Sequence, residues 1–369
     1  MSATAIPNAP APRRQVDNAL TSGQLPRLFE VWAMIGALAV SAVLFALVGF
    51  SIVGWLIVAA IVYLLAVGII SSAVENRRKA VDRLVRGVVV IMFLLALAPL
   101  LSTLIDVVAR GAHDAFNPDF VFKVGGSHFD PVSLKVTTTI GALQSIVGTL
   151  IITGIATVIS VPIGILTAIY LVEYGRPTSW MNRAVTFLVD VMTGIPSIVA
   201  GLFAFSLFTL ILGPKAFSGL SAAIALCVLM IPIVVRSSEE MLKLVSLDLR
   251  EASYALGTTK FVTITRIVLP TAISGLITGV MIAIARVIGE TAPIFIAASF
   301  TNNFNANPLH NAMSTLPVMA YTGYKFPSTD IAGSYQSAWG AALLLVILVV
   351  ILNLIARIVA RVFAPKGLR

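Results

Sequence analysis

Long apolar runs separated by short polar segments fill most of the chain, and they predict helices that cross a membrane. Two runs, at about 31–50 and 52–73, are joined by a tight turn, and a third run covers about 88–108. Each run is long enough to cross an apolar layer about 30 Å thick as an α-helix. Residues 1–28 are rich in proline, alanine and polar side chains, which indicates a flexible tail and not a cleaved signal peptide.

Interrupted apolar runs continue the pattern after a polar loop at about 110–135. Apolar character persists from 140 to 172, too long for one straight crossing, and Pro162 is the expected kink. Pro196 should break the following span. Further runs cover about 220–235, 271–299 and 337–360. The pattern predicts about eight crossings, and the predicted fold class is an all-α integral membrane protein.

The composition agrees with a membrane protein and excludes several other classes. Hydrophobic residues make up 58% of the chain and charged residues 11%, whereas soluble proteins average about 25% charged residues. The net charge of +9 comes from basic residues scattered between apolar runs, which indicates membrane topology and not nucleic-acid binding. One cysteine, Cys227, and three histidines in two separate loops favour neither a disulfide framework nor a metal site.

The positions of the basic residues predict the side of the membrane on which each loop lies. Of the 25 lysines and arginines, 19 fall in the tail, in alternate loops and at the carboxyl end, five fall in the other loops, and Arg286 lies inside a span. Since basic residues concentrate on the cytoplasmic side, both termini and the polar loop at 237–270 are predicted to be cytoplasmic. The predicted division is a tail at 1–28, a two-helix extension at 29–84 and a six-helix core at 85–369.

Residues 248–270, hereafter the coupling segment, read DLREASYALGTTKFVTITRIVLP and form the only long polar segment between two strongly apolar runs. Asp248 with Glu251 three residues later predicts a capped helix start, and Gly257 should end that helix. Thr258 or Thr259 can cap a second short helix, which Pro270 should separate from the next span. We therefore expect two short helices set at an angle by a glycine, a shape suited to docking on a partner.

The spacing in this segment resembles the cytoplasmic coupling loop of ABC importer permeases. The matching residues are Glu251, Ala252, Gly257, Ile267, Leu269 and Pro270. In that family the loop lies in a groove of the ATPase subunit, and the resemblance implies the same contact here. Ser253 stands where the family usually has a second alanine, and one small residue in place of another leaves the packing argument intact. The alternative is an ordinary amphipathic hairpin between two spans.

A charged pair, Arg286 and Glu290, lies within the span predicted at 271–299. A cation near the centre of a membrane costs about 2.5 to 3.5 kcal/mol, so it usually marks a transport path or an ion pair. The four-residue spacing puts both side chains on one helix face. Small residues, among them Gly275 and Gly279, share that face, which predicts that the face contacts protein or a water-filled path.

The sequence ARVIGETAPI around the charged pair resembles the phosphate importer permeases of the PstA type, as do GIPSIVAGLF and IPIVVRSSEEML. The resemblance covers about 88–360 and implies the transmembrane domain of a type I ABC importer, with two extra amino-terminal helices. It also implies a PstC-like second permease, a dimer of ATPase subunits and an extracytoplasmic phosphate-binding protein as partners, in membrane lipid. In that family, residues that match Arg236, Arg286 and Glu290 are associated with the translocation path.

These charges have two interpretations. Arg286 can bind phosphate oxygens through its planar guanidinium while Glu290 balances its charge in the empty path, or the pair can be a salt bridge that holds the bundle together. Arg236, at the cytoplasmic end of a span, can serve the path or simply extend toward the membrane surface. Asp190, before the Gly-Ile-Pro break, is expected to cap a half-helix.

No phosphate-binding loop of the G-x-x-x-x-G-K-[ST] type occurs, so the chain is predicted not to be an enzyme, and ATP hydrolysis is assigned to a partner. No bound cofactor and no nucleic-acid partner are expected. The predicted function is the permease subunit of an ATP-driven inorganic phosphate importer in the plasma membrane. The alternatives are a permease for another oxyanion, such as sulfate, molybdate or phosphonate, and a secondary transporter that uses Glu290 for protons.

Overall fold

The computed structural model of the protein describes residues 25–26, 28–49, 51–130, 135–176, 178–213 and 217–363. Helices dominate this part of the chain, as the sequence predicts. The first elements are α1 Phe29–Val48, α2 Ile52–Val74, α3 Arg77–Ala115, α4 Pro118–Phe122, β1 Val124–Asp130, β2 Lys135–Ala142, α5 Leu143–Ile169 and a π turn, π1, at Tyr170–Tyr174. The following elements are α6 Trp180–Thr193, α7 Ser197–Leu212, α8 Gly219–Lys243, α9 Leu247–Ala255, α10 Lys260–Thr263, a second π turn, π2, at Ile264–Val268, α11 Leu269–Ile288, α12 Ala292–Ala298, α13 Leu316–Lys325 and α14 Ile331–Phe363.

Within the described ranges, seven helices are long and apolar enough to cross a membrane. α6 and α7 together are also long and apolar enough to cross, but the two helices meet at a bend of 104°. Counting this pair as one broken span gives an eighth crossing. Pro196 lies at this break, directly before the first residue of α7, where the sequence predicts an interruption. Its ring restricts the backbone and it has no amide hydrogen with which to continue α6.

The span predicted at 271–299 is interrupted, which corrects the prediction of one continuous helix. α11 ends at Ile288 and α12 begins at Ala292. Gly289 follows the last residue of α11, and Pro293 occupies the first turn of α12. A proline fits the first turn of a helix, where its missing amide hydrogen costs nothing, and here it begins a new helix after the break at Gly289. The break places Glu290 between two helices.

The polar loop predicted at 110–135 contains more regular structure than expected. α3 continues to Ala115 and α4 follows it, after which β1 and β2 pair antiparallel. The register places Phe129 opposite Val136. The β-branched run Val-Thr-Thr-Thr in β2 favours a strand. These two strands form the one sheet in the described residues, so the predicted helical fold class holds with this single addition.

The chain divides into two compact units, Met1–Thr103 and Leu104–Arg369. In the first unit α1 packs against α2. Trp55 of α2 donates its indole N–H to the carbonyl of Leu38 in α1, at 3.0 Å. The hydroxyl of Ser51 accepts a hydrogen bond from the amide of Gly54, which starts α2 immediately after the turn. The tight connection predicted between the first two spans is therefore present.

Glu75, directly after α2, organises the polar end of the first unit. Its buried carboxylate accepts hydrogen bonds from Arg83 Nε at 2.9 Å, from the Ser71 hydroxyl at 2.8 Å and from the Leu25 amide at 2.9 Å. Burial raises the pKa of Glu75, but these hydrogen bonds and the charge of Arg83 outweigh burial and lower the pKa to about 2. Arg83 also contacts Glu30 of α1 at 3.1 Å, so α1, α2 and the start of α3 meet at one charged cluster.

The second unit is built around α8, which packs against α5, α11 and α12. Fully buried side chains in its core include Ile152 of α5, Met230 of α8 and Val287 of α11. Gly164 lets α5 come close to α8, because a Cβ at this position would lie 2.6 Å from the Val234 Cγ1. α5, α8 and α11 are therefore closely packed, and the coupling segment joins α8 to α11.

Candidate functional site

The first helix of the coupling segment, α9, starts earlier than predicted. Ser246 is its N-cap residue, and the Ser246 hydroxyl accepts a hydrogen bond from the amide of Asp248 at 3.2 Å. The predicted cap formed by Asp248 and Glu251 is therefore wrong. Ser246 takes the capping position because its backbone is extended directly before the first helical residue. Asp248 lies instead in the first turn, where its negative charge favours the positive helix end.

The apolar side of α9 points away from the rest of the chain. Ala252, Ala255 and Leu256 are exposed, as is Glu251, and Ser253 is the buried residue of this helix. An apolar helix side that faces away from its own protein is available to a partner surface. The first helix of the predicted docking shape is thus present, and its apolar side is exposed among the described residues.

Gly257 ends α9 in the way the sequence predicts. Its φ of 75° lies in the left-handed region, which residues with a side chain adopt at a cost. The Gly257 amide donates to the Tyr254 carbonyl at 2.9 Å, and the Thr258 amide donates to the Ser253 carbonyl at 3.4 Å. This pair of bonds is the glycine-terminated helix end known as the Schellman motif. A Cβ at this position would have no atom within 4 Å, so a larger side chain would fit. Glycine is favoured here by the backbone angle.

The second helix of the coupling segment is not separated from the next span, contrary to the prediction. α10, π2 and α11 follow one another without a break from Lys260 to Ile288. Pro270 lies in the first turn of α11, directly after π2. In this wide turn the amide of Leu269 donates to the carbonyl of Ile264, five residues earlier. A π turn relaxes the four-residue hydrogen-bond pattern that proline cannot complete, so the helix continues through Pro270.

Three hydroxyl groups join the two helices of the coupling segment, which sequence analysis missed. The Ser253 Oγ lies 2.6 Å from the Thr258 Oγ1 and 2.9 Å from the Thr263 Oγ1. Thr258 and Thr263 are 3.1 Å apart through the same atoms. Ser253 and Thr263 are buried. Ser253, considered from the sequence only as a small residue, is therefore the polar centre of the bend.

A buried ion pair anchors α9 to the rest of the protein, and it was also missed. Arg250 donates from Nε and Nη2 to the Glu173 Oε1, at 3.2 and 2.9 Å. The Arg250 and Glu173 side chains are 12% and 6% exposed. The two residues are 77 positions apart, so no local spacing in the sequence could have indicated this contact.

The structure brings Arg286 and Glu290 together as the spacing predicts. Arg286 Nη2 lies 3.6 Å from Glu290 Oε1, and the side chains are 64% and 15% exposed. The distance is that of a loose ion pair and exceeds hydrogen-bond length. The guanidinium therefore has donors to offer to another group.

The face that carries this pair is divided into two parts. Gly275 and Gly279 face α8, because Cβ atoms at these positions would lie 2.5 Å from Met241 Sδ and 2.7 Å from Ser237 Oγ. The prediction that small residues on this face contact protein is thus correct for these two. Arg286 follows Gly279 by seven residues, about 10 Å along the helix axis, and there the face is exposed.

Arg236, the third predicted site residue, is held by two carboxylates. Its Nη2 is bonded to Asp190 Oδ1 of α6, and its Nη1 donates to Glu239 Oε2 at 2.8 Å. Lys243 donates to the other oxygen of Glu239 at 2.7 Å. Asp190 does not cap a helix, since Pro196 occupies the N-cap position of α7. The prediction for Asp190 is wrong because a long-range charge, at 46 residues' separation, engages its carboxylate.

A cavity of about 180 Å³ lies elsewhere in the second unit, among β1, β2, α13 and the start of α14. Its lining includes Gly125, Asn302, Thr322, Ser334 and Asp330. Among the residues whose side chains the structure describes, no basic side chain lines it, and Asp330 contributes a carboxylate. Its chemistry is unsuited to an inorganic anion.

Comparison with known proteins gives matches over most of the second unit. Residues 160–368 match the family model described as binding-protein-dependent transport system inner membrane component. The phosphate transport system permease protein PstA 1 of Mycobacterium tuberculosis (strain CDC 1551 / Oshkosh) is 44% identical over 259 residues, which are 69% of this chain and 80% of that protein. The corresponding PstA protein of Mycobacterium leprae (strain TN) is 42% identical over 255 residues, with shares of 69% and 80%.

Among solved structures, an inward-facing MetNI methionine ABC transporter matches with a TM-score of 0.46 and 22% identity. The match covers 61% of this chain and 95% of that chain.

Proposed function

The chain belongs to the family of binding-protein-dependent transport system inner membrane components, and from this premise we propose that it is the permease subunit of an ATP-driven phosphate importer. It is a multi-pass membrane protein, and ATP hydrolysis belongs to a separate subunit. The cargo follows from the relatives, which are named phosphate transport permeases and are 42 to 44% identical. We further propose a PstC-like second permease, which would form the other half of the path, and a dimer of ATPase subunits.

The observation that carries the proposal is the coupling segment, whose first helix exposes an apolar side. α9 is fixed to the protein through Ser253 and Arg250, while Ala252, Ala255 and Leu256 are exposed. A secondary transporter has no use for such a surface between two spans. A separate ATPase subunit would cover it, which supports coupling to ATP over coupling to protons.

Arg286 is the residue that we propose for contact with phosphate in the path. It is exposed and only loosely paired with Glu290, and a guanidinium matches the geometry of phosphate oxygens. Arg236 is engaged by Asp190 and Glu239, so an anion would have to displace a carboxylate to bind there. We propose that Arg236 acts in the path through these carboxylates, whereas Arg286 offers the more open cation.

The proposed orientation has both termini in the cytoplasm. It rests on the 19 basic residues on one side and on counting α6 with α7 as one crossing. If that pair were a re-entrant loop, α8 would run the opposite way and the basic coupling segment would lie outside. Reporter fusions at Ser246 and Asn303 should report the cytoplasm and the exterior, respectively. A reversed report, with Ser246 outside and Asn303 in the cytoplasm, would contradict the orientation, as would reports from the same side.

Uptake by proteoliposomes tests the proposed function. The chain is reconstituted with its second permease, the ATPase and the binding protein, and labelled phosphate is supplied outside with ATP inside. We expect uptake that needs ATP and that a large excess of sulfate, molybdate or phosphonate does not reduce. Competition by one of these anions would favour the other oxyanion permeases. Uptake without ATP that follows an imposed proton gradient would instead favour a secondary transporter.

A further inference from the structure

Arg250 forms four hydrogen bonds that join three elements of the second unit. Two of them reach Glu173 in π1, at the end of α5. The others reach main-chain carbonyls at the end of α8, from Nη1 to Val245 at 2.6 Å and from Nη2 to Leu242 at 2.9 Å. One side chain of α9 thus holds the ends of both α5 and α8. Carbonyls at a helix end lack partners within the helix, so a guanidinium is well matched to them.

The groups that Arg250 contacts belong to a packed block. The side chains of Leu242 and Val245 are buried in one apolar cluster with Ala168 of α5, Val268 of π2 and Leu276 of α11. A displacement of α9 therefore reaches α5, α8 and α11 together. α8 carries Arg236 and α11 carries Arg286, which are the residues proposed for the path.

One wide helical turn, π1, contacts the coupling segment, and another, π2, lies within it. π1 contains Glu173, and π2 leads from α10 into α11. π turns are rare and are frequently found at functional sites. Here they occur where α5 and α11 meet the segment that offers an exposed apolar surface to a partner.

A buried ion pair is a poor device for stability alone. Two charges lose their hydration when they are buried, and well-packed apolar residues in their place are often equally stable or more so. Directed hydrogen bonds, by contrast, fix the orientation of one element on another. The four bonds of Arg250 are therefore better explained by orientation than by stability.

We propose that Arg250 is a positioning residue that, through Glu173, transmits movement of α9 to the ends of α5 and α8. The inference rests on the proposed function, since it assigns the source of that movement to an ATPase bound to the coupling segment. Arg250 does not touch the transported anion. It determines how much of each ATPase movement reaches the path.

Hydrogen exchange in nanodiscs tests the inference without any measurement of transport. Exchange at 170–174 and at 247–255 is followed with and without the ATPase subunit and a non-hydrolysable ATP analogue. We expect binding to change exchange in both stretches of the unmodified chain. In the double variant Arg250→Leu with Glu173→Leu, the change at 247–255 should persist while the change at 170–174 falls about tenfold, the scale set by removing charge-assisted hydrogen bonds. An equal change at 170–174 in that variant overturns the inference, as does no change there in the unmodified chain.

Transport measurements on the same variants separate positioning from stability. Phosphate taken up per ATP hydrolysed should fall about tenfold in the double leucine variant although it assembles normally. Arg250→Lys should fall short as well, because a compact ammonium with three donors cannot reproduce the four bonds that the guanidinium makes from three separate nitrogens. Arg183→Gln is the matched control, because this exposed arginine of α6 makes a single long bond to the Thr178 carbonyl, at 3.4 Å. Unchanged uptake per ATP in the double variant would overturn the inference, whereas lack of phosphate uptake by the unmodified complex would overturn the proposed function.

Discussion

Arg250 and Arg286 each lie beside a glutamate, yet the surroundings of the two pairs differ in burial and in hydrogen bonding. Arg250 is 12% exposed and makes four hydrogen bonds, to Glu173 in π1 and to two carbonyls at the end of α8. Arg286 is 64% exposed and lies 3.6 Å from the nearest oxygen of Glu290. The first pair is a fixed joint at the coupling segment, and the second is an open cation in the membrane region.

The difference shows that an arginine beside a glutamate does not have one fixed structural role in a membrane protein. A buried guanidinium with four hydrogen bonds to its own chain orients neighbouring elements, since releasing it would strand buried charges. A guanidinium with one loose contact can exchange that contact for an incoming anion at small cost. We therefore propose that the same residue types serve transmission in one region and binding in the other.

The largest expected effect comes from breaking the fixed joint on one side only. Arg250→Leu leaves the Glu173 carboxylate buried without its partner, and we expect the free energy of unfolding to fall by about 3 to 5 kcal/mol. Arg286→Leu should change it by less than about 0.5 kcal/mol, because an exposed residue is replaced. Denaturant titration of both variants in detergent measures the two losses. Equal losses would contradict the contrast between the pairs.

The next effect concerns transport and tests the open cation. Arg286→Gln should reduce phosphate uptake by about ten- to a hundredfold, because it removes a charge-assisted contact worth about 1.5 to 3 kcal/mol. The double variant Arg286→Gln with Glu290→Gln should assemble with its partners and remain inactive, and Arg286→Lys should recover little. Uptake is compared at matched membrane abundance. Near-normal uptake in the double variant would falsify contact between Arg286 and the substrate and leave a structural salt bridge.

A smaller effect is expected when the coupling segment is strained without touching its buried pair. Gly257→Val forces a β-branched residue into the left-handed region, at a cost of about 1 to 3 kcal/mol. We expect weaker association of the ATPase and reduced uptake, with the protein still inserted. Gly154→Val is the control, because this helical glycine of α5 also has open space around its Cβ but an ordinary backbone angle. If both variants behave alike, the left-handed turn is not what the segment requires.

The smallest effect should come from the hydroxyl cluster. Ser253→Ala removes the central hydroxyl, while the Thr258 and Thr263 hydroxyls keep their contact at 3.1 Å. We expect a loss of about 0.5 to 1.5 kcal/mol in stability and nearly normal uptake. Faster hydrogen exchange at 258–263 would show the local loosening. A loss as large as that of Arg250→Leu would mean that the hydroxyls, and not the ion pair, hold α9 in place.

Local patterns predicted much of the fold and part of the candidate site. The apolar runs located the membrane helices, since their length and hydropathy depend on the sequence alone. Gly257 ends α9 as predicted, because the left-handed backbone angle at a helix end depends on a single residue and glycine adopts it most easily. Arg286 and Glu290 lie close together as the spacing predicts, although Glu290 follows the end of α11 and is held in a turn by a hydrogen bond from its amide to the Val287 carbonyl, at 3.1 Å.

The errors share a different cause, which is competition between neighbouring signals. Asp248 and Ser246 are both residue types that favour the N-cap of a helix, and in the structure Ser246 occupies that position. Pro270 usually separates helices, but the π turn before it lets α11 continue. In each case more than one local outcome was possible, and packing against the rest of the chain selected one.

The sequence by itself determined which stretches cross the membrane, where glycine bends the coupling segment and which charges lie within a span. Only the tertiary structure decided which charges far apart in the sequence are joined. Arg250 meets Glu173 across 77 residues, and Arg236 meets Asp190 across 46. These contacts depend on how α5, α6, α8 and α9 pack, and electrostatic attraction acts through space without regard to separation along the chain.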